Sequence, residues 1–362
     1  MTDTPFRTAL TDLLGIRHPV VLAGMAGGPT TPALVAAVSR GGGLGVFGAM
    51  GMSRDALAAA VTEARTLAPG RPVGVNVLLA GPTEGNPDPH ALDPVLRDLR
   101  EGAPATPPPA APPSGPRELV EAALEAGAAA VSVGLGDPAP VADLARGAGV
   151  PLIAMVTTVE EARIVVASGA DAVVAQGWEA GGHRSTFAPP PEGGLPSVGT
   201  IALVARLVAE LDVPVVAAGG IMDGRGLAAA LCLGAAGVQL GTRFLSASEA
   251  GVPPSYRARL RAARDTDSRI ICALSGRPAR GLPNDIVRRL ESGPEPLGWP
   301  RQAAAWADVR TAAARADDAE HIALWAGQAS ALIEDAPRGA EEILAGVVAE
   351  AASTLRGLAP PA

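Results

Sequence analysis

The chain contains no lysine; all 29 of its basic residues are arginine. Together with the excess of alanine, glycine and proline, this reads as GC-rich coding. Aromatic residues make up only 2% of the 362 residues, so the core has to be built from branched aliphatics and alanine. Two cysteines, Cys232 and Cys272, have no metal-ligand spacing and no partner pattern, which excludes a disulfide framework and gives no metal site. Cys232 lies in the apolar run LAAALCLGAA and is expected as a small core residue. No apolar run long enough to cross a bilayer is free of Gly, Pro or charge. The first residues, MTDTPFRTALTDLLG, lack the basic start and apolar stretch of a signal peptide. A cytoplasmic protein with no membrane partner is expected. The net charge of −8 argues against nucleic acid as a partner. It says little about a small anionic substrate, which feels local charge.

What is present is a repeat of short Val/Ile-rich runs, most followed by an alanine-rich helical pattern. Candidate strands fall at 19–23, 45–47, 73–78, 130–133, 152–156, 172–175, 215–218 and 238–240. Candidate helices include 32–40, 54–64, 117–126, 141–146, 158–168, 200–210 and 224–233. Strands that are apolar throughout are buried on both faces, which implies parallel pairing under helices. Eight such units predict an α/β fold, a (β/α)₈ TIM barrel; a doubly wound sheet gives similar local patterns and stands as the alternative. Between Leu79 and Arg117 the pattern lapses into an insertion with one amphipathic helix, 91–101, and a Pro-Ala run, Ala103–Pro116. A lid and a solvated loop are both open readings of it. After residue 245 the alternation stops. We expect a barrel over 1–245 and a small, mainly helical cap or substrate domain over 246–319, with few strands. Helices over 320–333 and 339–355 then return to the barrel.

The chemistry gathers at the C-terminal strand ends, where barrels place their sites. Three stretches stand out: AQGWEAGGHRSTF with His183, PVVAAGGIMDGRG with Gly219 and Gly220, and GVQLGTRFL with Gln239, Gly241 and Thr242. Paired glycines on the last two strands let backbone N–H groups approach a phosphate, with the Thr242 hydroxyl beside them. Tight turns explain each glycine alone. The other strand ends offer Gly24-Met25-Ala26, Gly48, Asn76, Gly134, Thr157 and Gln176. This ring is neutral and rich in amides, without a carboxylate cluster, a His/Cys metal set or a Ser-His-Asp arrangement. It suits a flat heteroaromatic ring with carbonyl and imide edges. Asn76, in the apolar GVNVLL, is either a cofactor ligand or a satisfied core amide. His183 is either a working imidazole or a structural loop residue. Glu179 is the nearest acid.

These motifs, AGMAGG, GVNVLL, AQGWEAGGHRSTF, AAGGI, GVQLGTRFL, SGRPARGLPN and WAGQ, resemble the nitronate monooxygenase family, formerly 2-nitropropane dioxygenases. The resemblance runs from about Leu14 to Ile333. It implies a (β/α)₈ barrel with a small substrate domain and non-covalently bound FMN. Carried over by motif, Met25 and Ala26 line the flavin, and Asn76, Gln176 and Gly181 contact its ring or ribityl chain. Gly219, Gly220, Gln239, Gly241 and Thr242 hold the phosphate end, and His183 is the catalytic residue. The implied reaction is oxidation of a small alkyl nitronate, such as propionate 3-nitronate, by O2 to a carbonyl compound and nitrite. His183 positions the anion, or takes the α-proton of a nitroalkane. Arg277 and Arg280 either approach the substrate or pair at the surface. The first motif departs from the family, which usually has proline where Gly24 stands; the glycine is expected to loosen that turn.

Two related chemistries compete on this fold. One is an FMN-dependent NAD(P)H enoyl-thioester (enoyl-ACP) reductase, the other an NADH:quinone reductase. A flavin-free phosphosugar-binding barrel is the non-redox reading. Fold alone does not choose among them. Oligomeric state is left open, a homodimer being one arrangement.

Overall fold

Runs of valine, isoleucine and alanine have no polar face, so strands made of them need cover on both sides. The computed structural model describes residues 6–101, 113–188, 194–333 and 338–358. Eight apolar strands pair in parallel within it: β1 (Val20–Leu22), β2 (Gly45–Gly48), β3 (Val73–Leu78), β4 (Ala130–Gly134), β5 (Leu152–Val156), β6 (Ala172–Gln176) and, beyond the two-residue β7 (Gly182–His183), β8 (Val215–Ala218) and β9 (Gly237–Leu240). Their order is β1-β9-β8-β6-β5-β4-β3-β2. The ends of this order meet at Val21 and Leu44, where Leu22 N donates to Leu44 O at 2.9 Å and Leu44 N to Val20 O at 3.0 Å. The sheet is therefore a closing (β/α)₈ barrel, and the doubly wound alternative is excluded.

The two-residue period sorts each strand between two cores. Val21, Val46, Ile153, Val174 and Val216 share the interior cluster with Leu10 and Leu14 of the N-terminal helix Ala9–Leu14. That helix plugs the lower end, and Thr8 Oγ1 donates to Ala236 O just before β9. Val20, Leu22, Val173 and Val215 face the surrounding helices. The helices start where side chains take up their orphan N–H groups: Thr31, Ser53, Thr158 and Asp223 each accept from the first turn. The helix Ala340–Leu358 returns to the outer ring, and the Glu350 carboxylate accepts from Gly224 N at 2.8 Å.

Three details come from the structure. First, 246–319 is mainly helical with few strands, as expected, and those strands build a small sheet. β10 (Arg269–Ile271) and β11 (Ala279–Gly281) pair antiparallel, and β11 also pairs with β7. Strands of two or three residues carry no detectable period. Second, 320–333 is not a helix; only Ser330–Leu332 forms a 3₁₀ turn. Asn284 Nδ2 donates to the carbonyls of Ala319 and Ile322, and Leu282 N to that of Leu324, so this stretch spends its backbone on β11 and its flanks. Third, Cys232 is exposed. It closes the last turn of the helix Gly224–Cys232, beyond the buried face made by Leu227, Ala228 and Ala230.

The insertion after β3 forms the expected helix, at Asp93–Arg100. Its Leu96 and the preceding Leu92 are buried with Ile271, Leu274, Ile286, Leu290 and Trp306 in a cluster of their own. Thr83 N donates to Trp299 O at 2.9 Å, and Asn86 N to Pro296 O at 2.8 Å. The insertion thus packs on the segment that follows the barrel. Most of the Pro-Ala run lies outside the described residues. No described helix is long and apolar enough to cross a membrane.

Candidate active site at the barrel mouth

A cavity opens at the C-terminal strand ends. Met25, Ala26, Asn76, Gln176, Gly181, His183, Gly219, Gly220, Gln239, Gly241 and Thr242 all line it. The fold brings together every one of the expected site residues.

His183 reaches the mouth by an unusual route. β6 ends at Gln176, and the chain turns back to form β7, which pairs with β11 across 96 positions, Ala279 opposite His183. Gln176 ties this return at both ends of its amide. Its Nε2 donates to His183 O at 2.8 Å, and its Oε1 accepts from Ser185 N at 2.8 Å. Gln176 therefore orients the histidine segment as well as lining the cavity. Ser185 Oγ accepts from Leu135 N at 3.0 Å, which fastens the same segment to the end of β4.

Glu161 adds a second clamp. It is fully buried on the helix Val159–Ala167. One carboxylate oxygen accepts from Phe187 N and Ala188 N at 2.7 and 3.1 Å, the other from Thr157 N and Thr157 Oγ1 at 2.6 and 2.8 Å. Four donors compensate the burial of this charge. Arg184, also buried, donates to the carbonyls of Gly177 and Gln176 and lies over the Trp178 ring.

The imidazole of His183 packs against Trp299 and Trp325, with ring centroids 5.2 and 5.4 Å away. Its Nε2 lies 2.9 Å from Ser275 Oγ. Burial, reinforced by the Arg277 charge, pulls its pKa down to about 4. At neutral pH the ring is uncharged, with one nitrogen to donate and one to accept. Ser275 Oγ also lies 3.1 Å from Arg277 O. When the serine proton points there, Nε2–H donates to Ser275 and Nδ1 keeps the lone pair.

The residues fit a flat cofactor with a phosphate end. At the close of β8, Gly219 has φ +111° and Gly220 +71°, a backbone closed to ordinary side chains; a Cβ on Gly219 would also sit 2.9 Å from Ala180 N. Gly241 has ordinary φ and opens toward Ala23 and Met25. Thr242 Oγ1 accepts from Gly327 N at 2.9 Å, which leaves its proton to donate. Asn76 Nδ2 donates to Ser132 Oγ at 3.0 Å. A Cβ at Gly24 would lie 2.5 Å from Asn76 Cβ and 2.8 Å from Phe47 O. Gly24 is therefore a close contact beneath Asn76, not a loosened turn.

Other expected residues lie elsewhere. Arg280 is buried and donates to Trp178 O and Ser268 O at 3.0 Å each; Arg277 Nη2 donates to Thr186 O at 3.1 Å. Neither lines the cavity. Glu179 caps the helix Thr200–Glu210, accepting from Thr200 N at 2.9 Å and Thr200 Oγ1 at 2.7 Å. His90 is exposed beside Asp93. The sequence reading missed Glu161, Ser275, Trp299, Trp325 and Tyr256. Tyr256 is buried, lines the cavity and donates its hydroxyl to Trp325 O at 2.6 Å. Only the WAGQ and SGRP motifs pointed toward two of them.

A family model described as nitronate monooxygenase matches residues 7–350. The chain is 41% identical over 360 residues to a nitronate monooxygenase of Pseudomonas aeruginosa, covering 94% of this chain and 98% of that one. It is 38% identical to a nitronate monooxygenase of Paraburkholderia phytofirmans, with 93% of each chain covered. Among solved structures, a nitroalkane oxidase from Streptomyces ansochromogenes superposes with TM-score 0.84 at 35% identity, over 97% of this chain and 100% of that one. FabK from Thermotoga maritima superposes with TM-score 0.74 at 32% identity, over 98% of each chain.

Proposed function

Because this chain belongs to the nitronate monooxygenase family, we propose that it binds FMN at the barrel mouth and oxidises alkyl nitronates with O2 to a carbonyl compound and nitrite. Two nitronates and one O2 balance two carbonyl compounds and two nitrites. The observation that carries this reading is His183, held as a neutral imidazole by two tryptophans and Ser275 on the wall of a cavity whose far side is glycine backbone.

FMN, when bound, supplies the redox chemistry. Asn76 and Gln239 present amides to a neutral ring, Met25 and Ala26 line it, and Gly181 lets backbone come close. Gly219, Gly220, Gly241 and Thr242 offer N–H and O–H donors to a phosphate. The protein's own part in the reaction is positioning. Gln176 and Glu161 hold the His183 segment. With the Ser275 proton turned to Nε2, the ring carries its N–H on Nδ1 and offers it to the nitronate oxygens. With a neutral nitroalkane, the other tautomer, whose Nε2–H donates to Ser275, leaves Nδ1 to take the α-proton. A base with so low a pKa is weak for that task, which favours the preformed nitronate as substrate.

The test is FMN-loaded protein mixed anaerobically with an alkyl nitronate and, separately, with NADH or NADPH. Flavin reduction by the nitronate alone, with nitrite released in air, supports the proposal. Complete bleaching by a nicotinamide, with no response to nitronate, overturns it in favour of the reductase chemistry.

A further inference from the structure

Among the described residues, the cavity has no charged wall: its only ionisable lining side chains are His183 and Tyr256. Burial keeps the imidazole neutral and pushes the phenol upward, while the Tyr256 hydroxyl is committed to Trp325 O. The chain has no lysine, all 29 arginines fall within the described residues, and none lines the cavity. The segments outside the described residues contain neither arginine nor histidine. The arginines around the histidine segment are already engaged: Arg277 with Thr186 O, Arg280 with Trp178 O and Ser268 O, Arg184 with Gln176 O and Gly177 O.

The ends of β2 to β5, across the barrel from the glycines of β8 and β9, are largely apolar, with Asn76 and Ser185 the polar side chains beside them. They bring Met50, Leu78, Leu135 and Met155 to the cavity, and Trp325 joins them. Four of the chain's six methionines line this one cavity. Leu135 holds its place in the left-handed region, at φ +62°, a conformation leucine seldom adopts. Such strain persists where the surroundings over-determine it, and here Ser185 Oγ accepts the Leu135 N–H.

We propose that the site selects nitronates with an uncharged, apolar tail and discriminates against those whose tail ends in a carboxylate, propionate 3-nitronate among them. The inference rests on the nitronate-oxidising activity proposed above. A nitronate head meets the His183 ring at the polar side of the mouth. A tail carboxylate meets a wall of methionine, leucine and tryptophan with no cation on it, and a buried carboxylate without a charged partner is strongly disfavoured. A phosphate at the glycine end adds further repulsion.

The experiment compares kcat/KM of FMN-loaded protein for butyl-1-nitronate and propionate 3-nitronate, which differ mainly in an apolar or a carboxylate end. About 100-fold preference for the alkyl compound is expected. Equal or better use of propionate 3-nitronate overturns the inference and leaves the activity standing. No nitrite from either compound overturns the activity and the inference with it. Met50→Arg provides a second arm, since it places a cation on the apolar wall. The ratio of the two kcat/KM values should move at least about tenfold toward propionate 3-nitronate, and an unchanged ratio counts against the inference. A ratio measured on one preparation is independent of how much of the variant folds.

Discussion

The Glu161 carboxylate accepts the backbone N–H of Phe187 at 2.7 Å, so a buried acid on one helix sets the path of the loop that follows His183. Glu161→Gln keeps the shape but turns an amide NH2 toward backbone donors on one side. Leaving such a buried donor unsatisfied costs roughly 1–3 kcal/mol. We expect flavin content to hold while kcat/KM for nitronate falls about tenfold, since small displacements at a reacting centre are amplified. Thermal unfolding and steady-state kinetics on the same preparation separate the two effects. A lowered melting temperature with unchanged kcat/KM would confine Glu161 to a structural role.

His183→Asn should retain FMN and lose about 100-fold or more in nitronate turnover. The flavin absorbance spectrum checks the first part and nitrite release the second. Turnover equal to wild type removes the imidazole from the mechanism.

The depressed pKa of His183 has a stability consequence. The folded protein keeps the ring neutral down to about pH 4, whereas the unfolded chain protonates near 6.5. Between these values the unfolded state binds the extra proton, so stability is fully present above pH 6.5 and falls as the pH drops toward 4. The gap corresponds to roughly 3 kcal/mol. Urea unfolding of wild type and His183→Asn at pH 7 and pH 4.5 measures it, and the variant should lose less stability on acidification. Parallel losses in the two proteins contradict a neutral buried ring.

Gly241 tests the cradle. Its φ is ordinary and a Cβ finds only normal contacts, at 3.5 Å from Ala23 Cβ and 3.8 Å from Met25 Sδ. Gly241→Leu therefore leaves the backbone conformation accessible while filling space at the phosphate end. FMN affinity, read from quenching of flavin fluorescence, should weaken at least about tenfold. Gly219→Ala is a poorer probe, because φ +111° and the 2.9 Å approach to Ala180 N disturb the fold itself. Undiminished affinity in Gly241→Leu places the phosphate elsewhere.

The barrel was legible because its signal is local and repeated. Each strand is a short apolar run, most helices between them start at a capping residue or proline, and the expected strands at 73–78, 152–156 and 215–218 coincide with β3, β5 and β8. The site was legible where motifs sit at strand ends, since a strand end points to the mouth by construction. Glu161 was not. An acid in the first turn of a helix reads as solvent-facing, and only the tertiary structure brings Phe187 and Ala188 to add their donors to those of Thr157.

The sequence alone therefore determined the barrel, the face on which the site lies and the neutral ring of amides and glycines, because these follow from patterns a few residues long. Tertiary structure alone decided what surrounds His183. Ser275, Trp299 and Trp325 come from 92 to 142 positions away in the chain, brought there by β7 pairing with β11. The uncharged wall is likewise a tertiary result. Arg184, Arg277 and Arg280 stand close to the motifs in sequence, but their guanidinium groups are drawn to backbone carbonyls beside the histidine segment. That demand for hydrogen bonds, invisible in a linear pattern, is what leaves the cavity without a cation.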